Sequence, residues 1–320
     1  MRVVVTGAAG YIGSVLCRLL LDKGYEVTGI DKMLHGGRSI LGVLNHPRFK
    51  MIPEDIYEIS TYSKYINSET VVVNLAAIVG EPASRKYPEE TRRTNLDATK
   101  KLIDLSAEKN VKKFIFVSTC SNYGKVEPEE FANEEHELNP LSLYAETKVE
   151  MEHYLKEIIG NNLNWTVLRF STVFGLSPRP RFDLTVNDFT LHAIIDKKLV
   201  IFLPYSNRPY VHVRDAARAV ELVLEKYTET AGKTYNVGSN DQNYKKIDIV
   251  NEVKKVVPDF EIEFVEKGND PRDYRVSFDK IKSQLNYSTT LSILNGIKEI
   301  AWAINTGIIR DYKNPEYYNA

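Results

Sequence analysis

The sequence predicts an α/β fold of the doubly wound kind, a parallel sheet covered by helices on both faces, with a smaller carboxy-terminal lobe. Three observations predict it. Short β-branched runs alternate with longer amphipathic stretches through the first half, the runs are apolar almost without a break, and the first ends in a glycine-rich turn that opens a helix. Strands buried on both faces read as continuous apolar runs, whereas a strand with one wet face alternates.

In chain order, residues 3–5, 26–30, 71–75, 113–117 and 165–168 read as buried strands, rich in Val, Ile, Leu and Phe. Between them, 11–23, 89–109 and 141–159 carry the helical period. Beyond about residue 176, Pro178, Pro180, Pro204 and Pro209 break the pattern, and shorter helices are expected near 186–195, 213–225, 247–256 and 290–303. The last residues, KNPEYYNA, carry no period that assigns them. There is no internal repeat and no low-complexity segment.

Composition excludes several classes. Lys+Arg number 42 against 43 Asp+Glu, so a net charge of −1 leaves no footprint for nucleic acid or an anionic membrane. The two cysteines, Cys17 and Cys120, stand far apart, which excludes a disulfide framework and a cysteine-rich zinc site. His192 and His212 have no partners at metal-ligand spacing and read as packing or hydrogen-bonding residues, so no metal is expected. Without a long apolar run, neither a signal peptide nor a membrane span is expected, and the chain reads as cytoplasmic.

Two local patterns carry chemistry. The first strand runs into Thr6-Gly7-Ala8-Ala9-Gly10-Tyr11-Ile12-Gly13. Such a turn lets backbone N–H groups approach a diphosphate at a helix N-terminus. The spacing is GxxGxxG rather than GxGxxG, and a tight packing turn is the plain alternative. Asp31, 18 residues beyond Gly13 at the end of the second strand, suits the two ribose hydroxyls of NAD and repels the 2′-phosphate of NADP; its plain alternative is a helix N-cap. The second pattern is Ser142-Leu143-Tyr144-Ala145-Glu146-Thr147-Lys148, which opens a helix after Pro140. Tyr144 and Lys148 share a face one turn apart. A cation about 4 Å from a phenol, at an effective dielectric near 20, is worth roughly 4 kcal/mol or about three pKa units. Lys148, helped by a positively charged nicotinamide, is therefore expected to make Tyr144 a usable general base. A lone Tyr-x-x-x-Lys is also what chance gives among 19 tyrosines and 26 lysines, so its position after a strand carries the reading.

TGAAGYIG, the acidic strand end, Asp55-Ile56, Asn74-Leu75-Ala76-Ala77 and Tyr144-x-x-x-Lys148 together resemble the extended short-chain dehydrogenase/reductase family. More narrowly they resemble its NAD-dependent nucleotide-sugar epimerases and dehydratases, typified by UDP-galactose 4-epimerase. The resemblance implies a Rossmann domain for NAD over residues 1–175 and a substrate-binding lobe over 176–320, interleaved with the sheet edge. It also implies a cofactor site of Gly7, Gly10, Tyr11, Ile12, Gly13, Asp31, Asp55, Ile56, Leu75, Ala76, Ala77, Asn95, Tyr144 and Lys148. Thr119 stands where the family places a hydroxyl bridging the substrate and the catalytic tyrosine, with Ser118 and Ser121 as neighbouring alternatives.

The 4,6-dehydratases of the family carry an Asp-Glu pair after that hydroxyl. Here Cys120-Ser121 stand there and neither is a carboxyl acid, so dehydration is not expected. Six of sixteen arginines fall between 169 and 218: Arg169, Arg179, Arg181, Arg208, Arg214 and Arg218. Arginine forks suit phosphate oxygens. The resemblance implies that Arg208 holds the diphosphate of a nucleotide-diphosphate sugar, with Asn187, Arg181, and Arg272 or Arg275 around it. One departure is Thr172, where the family usually has Asn; together with Ser177-Pro178-Arg179-Pro180-Arg181 it resembles a branch that includes nucleotide-sugar 4-dehydrogenases. The expected activity is C4 epimerisation through a 4-ketose, with 4-dehydrogenation and a non-catalytic NAD-binding regulator as the alternatives. A homodimer through the helices over 89–109 and 141–159 is expected by the same resemblance.

Overall fold

The computed structural model describes residues 1–127, 129–159, 162–266, 268 and 272–319. Its strands are β1 (Arg2–Thr6), β2 (Glu26–Ile30), β3 (Phe49–Ile52), β4 (Thr70–Asn74), β5 (Lys113–Thr119), β6 (Trp165–Phe170), β7 (Thr172–Phe174), β8 (Lys198–Phe202), β9 (Asn207–His212), β10 (Lys233–Val237), β11 (Asn243–Lys245) and β12 (Glu261–Val265). The main sheet runs β10-β6-β5-β4-β1-β2-β3, and every neighbouring pair in it is parallel. This is the doubly wound order, in which the chain reverses direction between β1 and β4 and leaves a crevice at their carboxyl ends.

The apolar runs are explained by burial on both faces. One face packs Leu16, Leu20, Ala216, Val220 and Leu224 against the sheet, and the other packs Leu102, Ile103, Met151 and Leu155. Two strands of the main sheet were not legible, for one reason. β3 and β10 are its edges, where one side needs no partner and the sequences FKMI and KTYNV are mixed.

After β6 the chain builds small sheets β11-β9-β7 and β12-β8 around the helices Thr185–Ile195, Lys246–Lys254 and Ile293–Asn305, with Phe174, Val186, Tyr210, Ile249 and Ile297 in their core. Residues 213–237 return to the main sheet as the helix Val213–Glu225 and β10, so lobe and sheet interleave. The carboxy-terminal segment is ordered too. Tyr312, Tyr317 and Tyr318 pack on a cluster of Phe182, Leu191, Ile300, Ile304 and Ile309. Among the described residues, no helix is long and apolar enough to cross a membrane.

Candidate active site

At the switch point the ends of β1 and β4 are locked together. Thr6 Oγ1 donates to Asn74 Oδ1 at 2.7 Å and accepts from the Ala76 N–H at 3.2 Å. The next residue, Gly7, has φ +71°, and a Cβ on it would lie 2.8 Å from the Ala76 nitrogen. A Cβ on Gly13 would lie 2.0 Å from the Gly7 oxygen. Two glycines are thus required before anything binds, one by the turn and one by the helix Tyr11–Asp22 packing onto it. That helix has no acidic residue in its first turn, so the positive end of its dipole faces the cleft unneutralised.

Asp31 closes one side. It is not a helix cap: its carboxylate accepts the Ala9 N–H of the turn at 3.0 Å and the Met33 N–H at 2.8 Å. Burial raises its pKa against these bonds, leaving a desolvated acceptor for ribose hydroxyls. Gly7, Gly10, Tyr11, Ile12, Gly13, Asp31, Asp55, Ile56, Leu75, Ala76 and Ala77 all line one cleft. This elongated wall of backbone N–H groups, a ribose acceptor and an apolar slot at Ile56 fits a dinucleotide. Partial burial pushes the Asp55 carboxyl up, but the Tyr57 amide, Arg93 and Lys32 outweigh it and hold it below the usual range. Asn95 differs from expectation. It is buried on a π-helical turn (Arg93–Ala98) with its amide taken up by the protein, since Oδ1 accepts Ile78 N–H at 2.8 Å while Nδ2 donates to Ile78 O and Thr147 Oγ1 at 3.0 and 3.1 Å. It braces the cleft wall against the helix that carries Tyr144.

That helix, Leu143–His153, starts where Ser142 Oγ accepts the Ala145 N–H at 3.2 Å. Tyr144, Lys148 and Glu152 recur every four residues along it. Tyr144 hydrogen-bonds Thr119. Thr119 Oγ1 accepts the Ser121 N–H at 3.1 Å and lies 2.9 Å from the Ser121 hydroxyl, so its own proton can be directed at a phenolate. Ser118 is excluded from this role because its hydroxyl donates to Glu152 at 2.6 Å. Burial acts on both groups of the Tyr-x-x-x-Lys pair. Lys148 Nζ donates to Val117 O at 2.9 Å, and burial brings its pKa down to about 8. Burial lifts the Tyr144 phenol to about 12, against the pull of Thr119, Arg181 and Arg272. Burial thus disfavours charge on both groups.

A buried network escaped the sequence reading. Arg169, one of the six clustered arginines, is fully buried and faces Glu152 with Nε at 3.1 Å from both carboxylate oxygens and Nη2 at 2.7 Å from Oε2. Asn122 Nδ2 donates to Glu152 at 3.0 Å. The signal was present: Glu152 lies one turn beyond Lys148 on the same face. Cys120 is also sealed in, its thiol donating to Arg169 O at 3.2 Å and pushed far up by burial.

The substrate-lobe residues are placed unevenly. Asn187 is taken up by the fold, accepting Gly175 N–H at 2.9 Å and donating to Arg181 O at 2.9 Å and Gly175 O at 3.2 Å; it shapes the loop that carries Arg181. Arg181 lines the dinucleotide cleft and is held in a fork by Asp183 at 3.0 and 2.5 Å. Arg208 is buried over the Tyr274 ring, its Nη1 donating to Asn207 O at 2.6 Å. Arg272 lines a neighbouring depression with Lys125, Tyr205 and Asp273 and acts on Tyr144 through its charge. Arg275 stacks on Phe131, 4.4 Å from the ring centre. His212 sits between Glu299, at 2.6 Å, and the Arg214 N–H, at 3.1 Å. Arg179, already singled out in the arginine cluster, lines the cleft together with His35 and Asn319, which no sequence pattern marked.

Residues 3–238 match the NAD dependent epimerase/dehydratase family, and the chain belongs to it. An uncharacterized UDP-glucose epimerase of Bacillus subtilis is 29% identical, over 94% of this chain and 98% of that protein. A dTDP-glucose 4,6-dehydratase of Streptomyces griseus is 28% identical, over 94% and 93%. The UDP-glucuronic acid 4-epimerase of Bacillus cereus, solved with UDP-glucuronic acid and NAD, superposes with a TM-score of 0.86 at 29% identity, covering 96% of this chain and 99% of that one. The protein is thus an enzyme of the nucleotide-sugar branch of this family, and its cofactor is NAD.

Proposed function

We propose that this enzyme is a nucleotide-sugar 4-epimerase working through a 4-ketose. The observation that carries the reading is the pairing of Tyr144 with Thr119 at the end of β5, next to Cys120 and Ser121 in place of carboxyl acids. Tyr144 takes the proton of the sugar 4-hydroxyl through Thr119, and the same pair returns it once the ketone has presented its other face. NAD, held by the glycine turn and Asp31, would supply the hydride acceptor and, when oxidised, a positive charge that would favour the Tyr144 phenolate. Lys148 contributes a second charge from the Val117 end of β5. Elimination of water needs an acid and a base at C5 and C6, and a thiol sealed against Arg169 O supplies neither.

The substrate is a nucleotide-diphosphate sugar, gripped through Arg208 and Arg272; UDP-glucuronic acid in the Bacillus cereus structure supports that class. The active form in this reading is a cytoplasmic homodimer, paired through the helices over 89–109 and 141–159. A second reading, 4-dehydrogenation, is favoured by Thr172 at the start of β7, where the family usually has Asn. The test is incubation with UDP-, GDP- and dTDP-sugars while NADH absorbance and sugar stereochemistry are followed together. The C4 epimer should form without stoichiometric NADH. A steady rise of NADH, or a ketose released only when an oxidant such as a 2-keto acid is present, selects the dehydrogenase.

A further inference from the structure

The segment 314–319 ends at the dinucleotide cleft, where Asn319 joins the lining, and it is fastened at several points. Arg179 Nε donates to Glu316 O at 2.9 Å, and its Nη2 donates to Tyr318 O at 3.2 Å and Asn319 Oδ1 at 2.9 Å. From the far side, Asn319 Nδ2 donates to Val79 O at 3.3 Å. Val79, Arg179 and Asn319 line the cleft together with the glycine turn and Asp31. The segment is also nailed down laterally, by Phe182 N–H on Tyr317 O at 3.0 Å and the Phe182 ring edge-on to Tyr317. It therefore bridges Val79, beyond β4, to the 177–181 loop, which is itself tied to the glycine turn by Ser177 Oγ on Tyr11 O at 2.7 Å.

Arg179 has donors to spare. Among the described residues its Nη1 makes no hydrogen bond, while Nε and Nη2 are fixed by the tail. Burial, with Arg181 beside it, brings Arg179 down to about 10, so it is still charged at neutral pH. The same wall holds His35 down to about 4 through burial and these two arginines.

We propose that segment 314–319 is a clasp over the bound dinucleotide, acting through Arg179: the tail carbonyls aim the guanidinium at the cofactor diphosphate, and Asn319 closes the exit against Val79. It rests on the NAD reading and deepens it, because an epimerase must keep its reduced cofactor until the hydride returns. The clasp sets residence time, not chemistry.

The full chain loaded with NADH is mixed with excess NAD, and loss of bound-cofactor fluorescence is timed. Asn319→Ala, Arg179→Gln and a chain shortened after Lys313 should each release NADH about tenfold faster, the scale of one charge-assisted hydrogen bond. Shortening the Arg179→Gln protein should add little, since both changes remove one device. Asn319→Ala leaves the tyrosine cluster intact and covers the case in which the shortened chain does not fold. Native release rates in Asn319→Ala and Arg179→Gln overturn the clasp, as do fully additive effects of shortening and Arg179→Gln. A native protein that binds no NADH overturns the cofactor reading and the clasp with it.

Discussion

Lys148 Nζ donates to the Val117 carbonyl at 2.9 Å, while Tyr144, one turn earlier, hydrogen-bonds Thr119 two residues further along the same strand. The two groups are thus anchored separately to the end of β5, and the lysine's charge is vulnerable to pH. Burial holds Lys148 at about 8, against the pull of Glu152. Folding disfavours the charged lysine, so the unfolded chain binds more protons between about pH 8 and the 10.5 of an exposed lysine. Stability therefore gains from this group as pH rises through that window, whereas activity loses its cation. The rate profile should fall above about pH 8, and Lys148→Arg should move that limb upward. An alkaline limb unmoved in Lys148→Arg sinks the assignment.

Tyr144→Phe removes the base and keeps the ring. Turnover should drop by about a hundredfold or more, the usual scale for a general base, with NAD binding retained. Thr119→Val should cost less, because Ser121, 2.9 Å away, can still pass a proton. Steady-state rates and cofactor titration on both variants check this; near-native turnover in Tyr144→Phe removes it from the mechanism.

Asp31 faces the cleft with both oxygens already accepting backbone N–H groups, so it can accept ribose hydroxyls but meets a 2′-phosphate as a like charge. Such a juxtaposition costs several kcal/mol, and NAD should bind about a hundredfold more tightly than NADP. Asp31→Ala should narrow the gap. Equal dissociation constants in the native protein would contradict the role given to Asp31.

The Glu152–Arg169 pair is buried on both sides, and removing one partner of such a pair costs about 3–5 kcal/mol. Glu152→Gln should lower the urea midpoint accordingly and loosen the helix that carries Tyr144. Burial pushes the Glu152 carboxyl up, but Arg169 outweighs it and holds it below the ordinary 4.5. Its stabilising contribution is therefore complete above about that pH and is lost as pH falls through the lowered value. An unfolding midpoint unchanged in Glu152→Gln would show that the pair contributes nothing net.

The fold was legible because burial on both faces writes itself into continuous runs such as Val71-Val72-Val73, and the turn because Gly7 and Gly13 have no room for a Cβ. What escaped was polar and long-range. Glu152 and Arg169 meet across 17 residues, and Asn319 reaches Val79 across 240; no local period encodes either. The partners of Asn95 and Asn187 escaped because an amide has both donors and an acceptor, and the surrounding backbone takes up both ends. The desolvation that burial imposes on Lys148 and Tyr144 is not written in the Tyr-x-x-x-Lys spacing either.

The epimerase reading makes its sharpest claim about a single hydrogen. If Tyr144 and Thr119 hold the 4-ketose while NADH stays in the cleft, the hydride removed from C4 is the one that returns to C4. A nucleotide-sugar deuterated at C4 should therefore give an epimer that keeps its deuterium at C4, even with excess unlabelled NADH in solution. A dehydrogenase exchanging its cofactor at every turnover would instead move the label into the free pool. The clasp through Arg179 makes the outcome graded: in Asn319→Ala, faster escape of NADH should let some label leak while the native enzyme retains it. Mass spectrometry of the product sugar reads both numbers. Loss of more than about half of the label from the native enzyme's product, on a substrate it does convert, would hand the reaction to the dehydrogenase, because one competing escape per return halves retention.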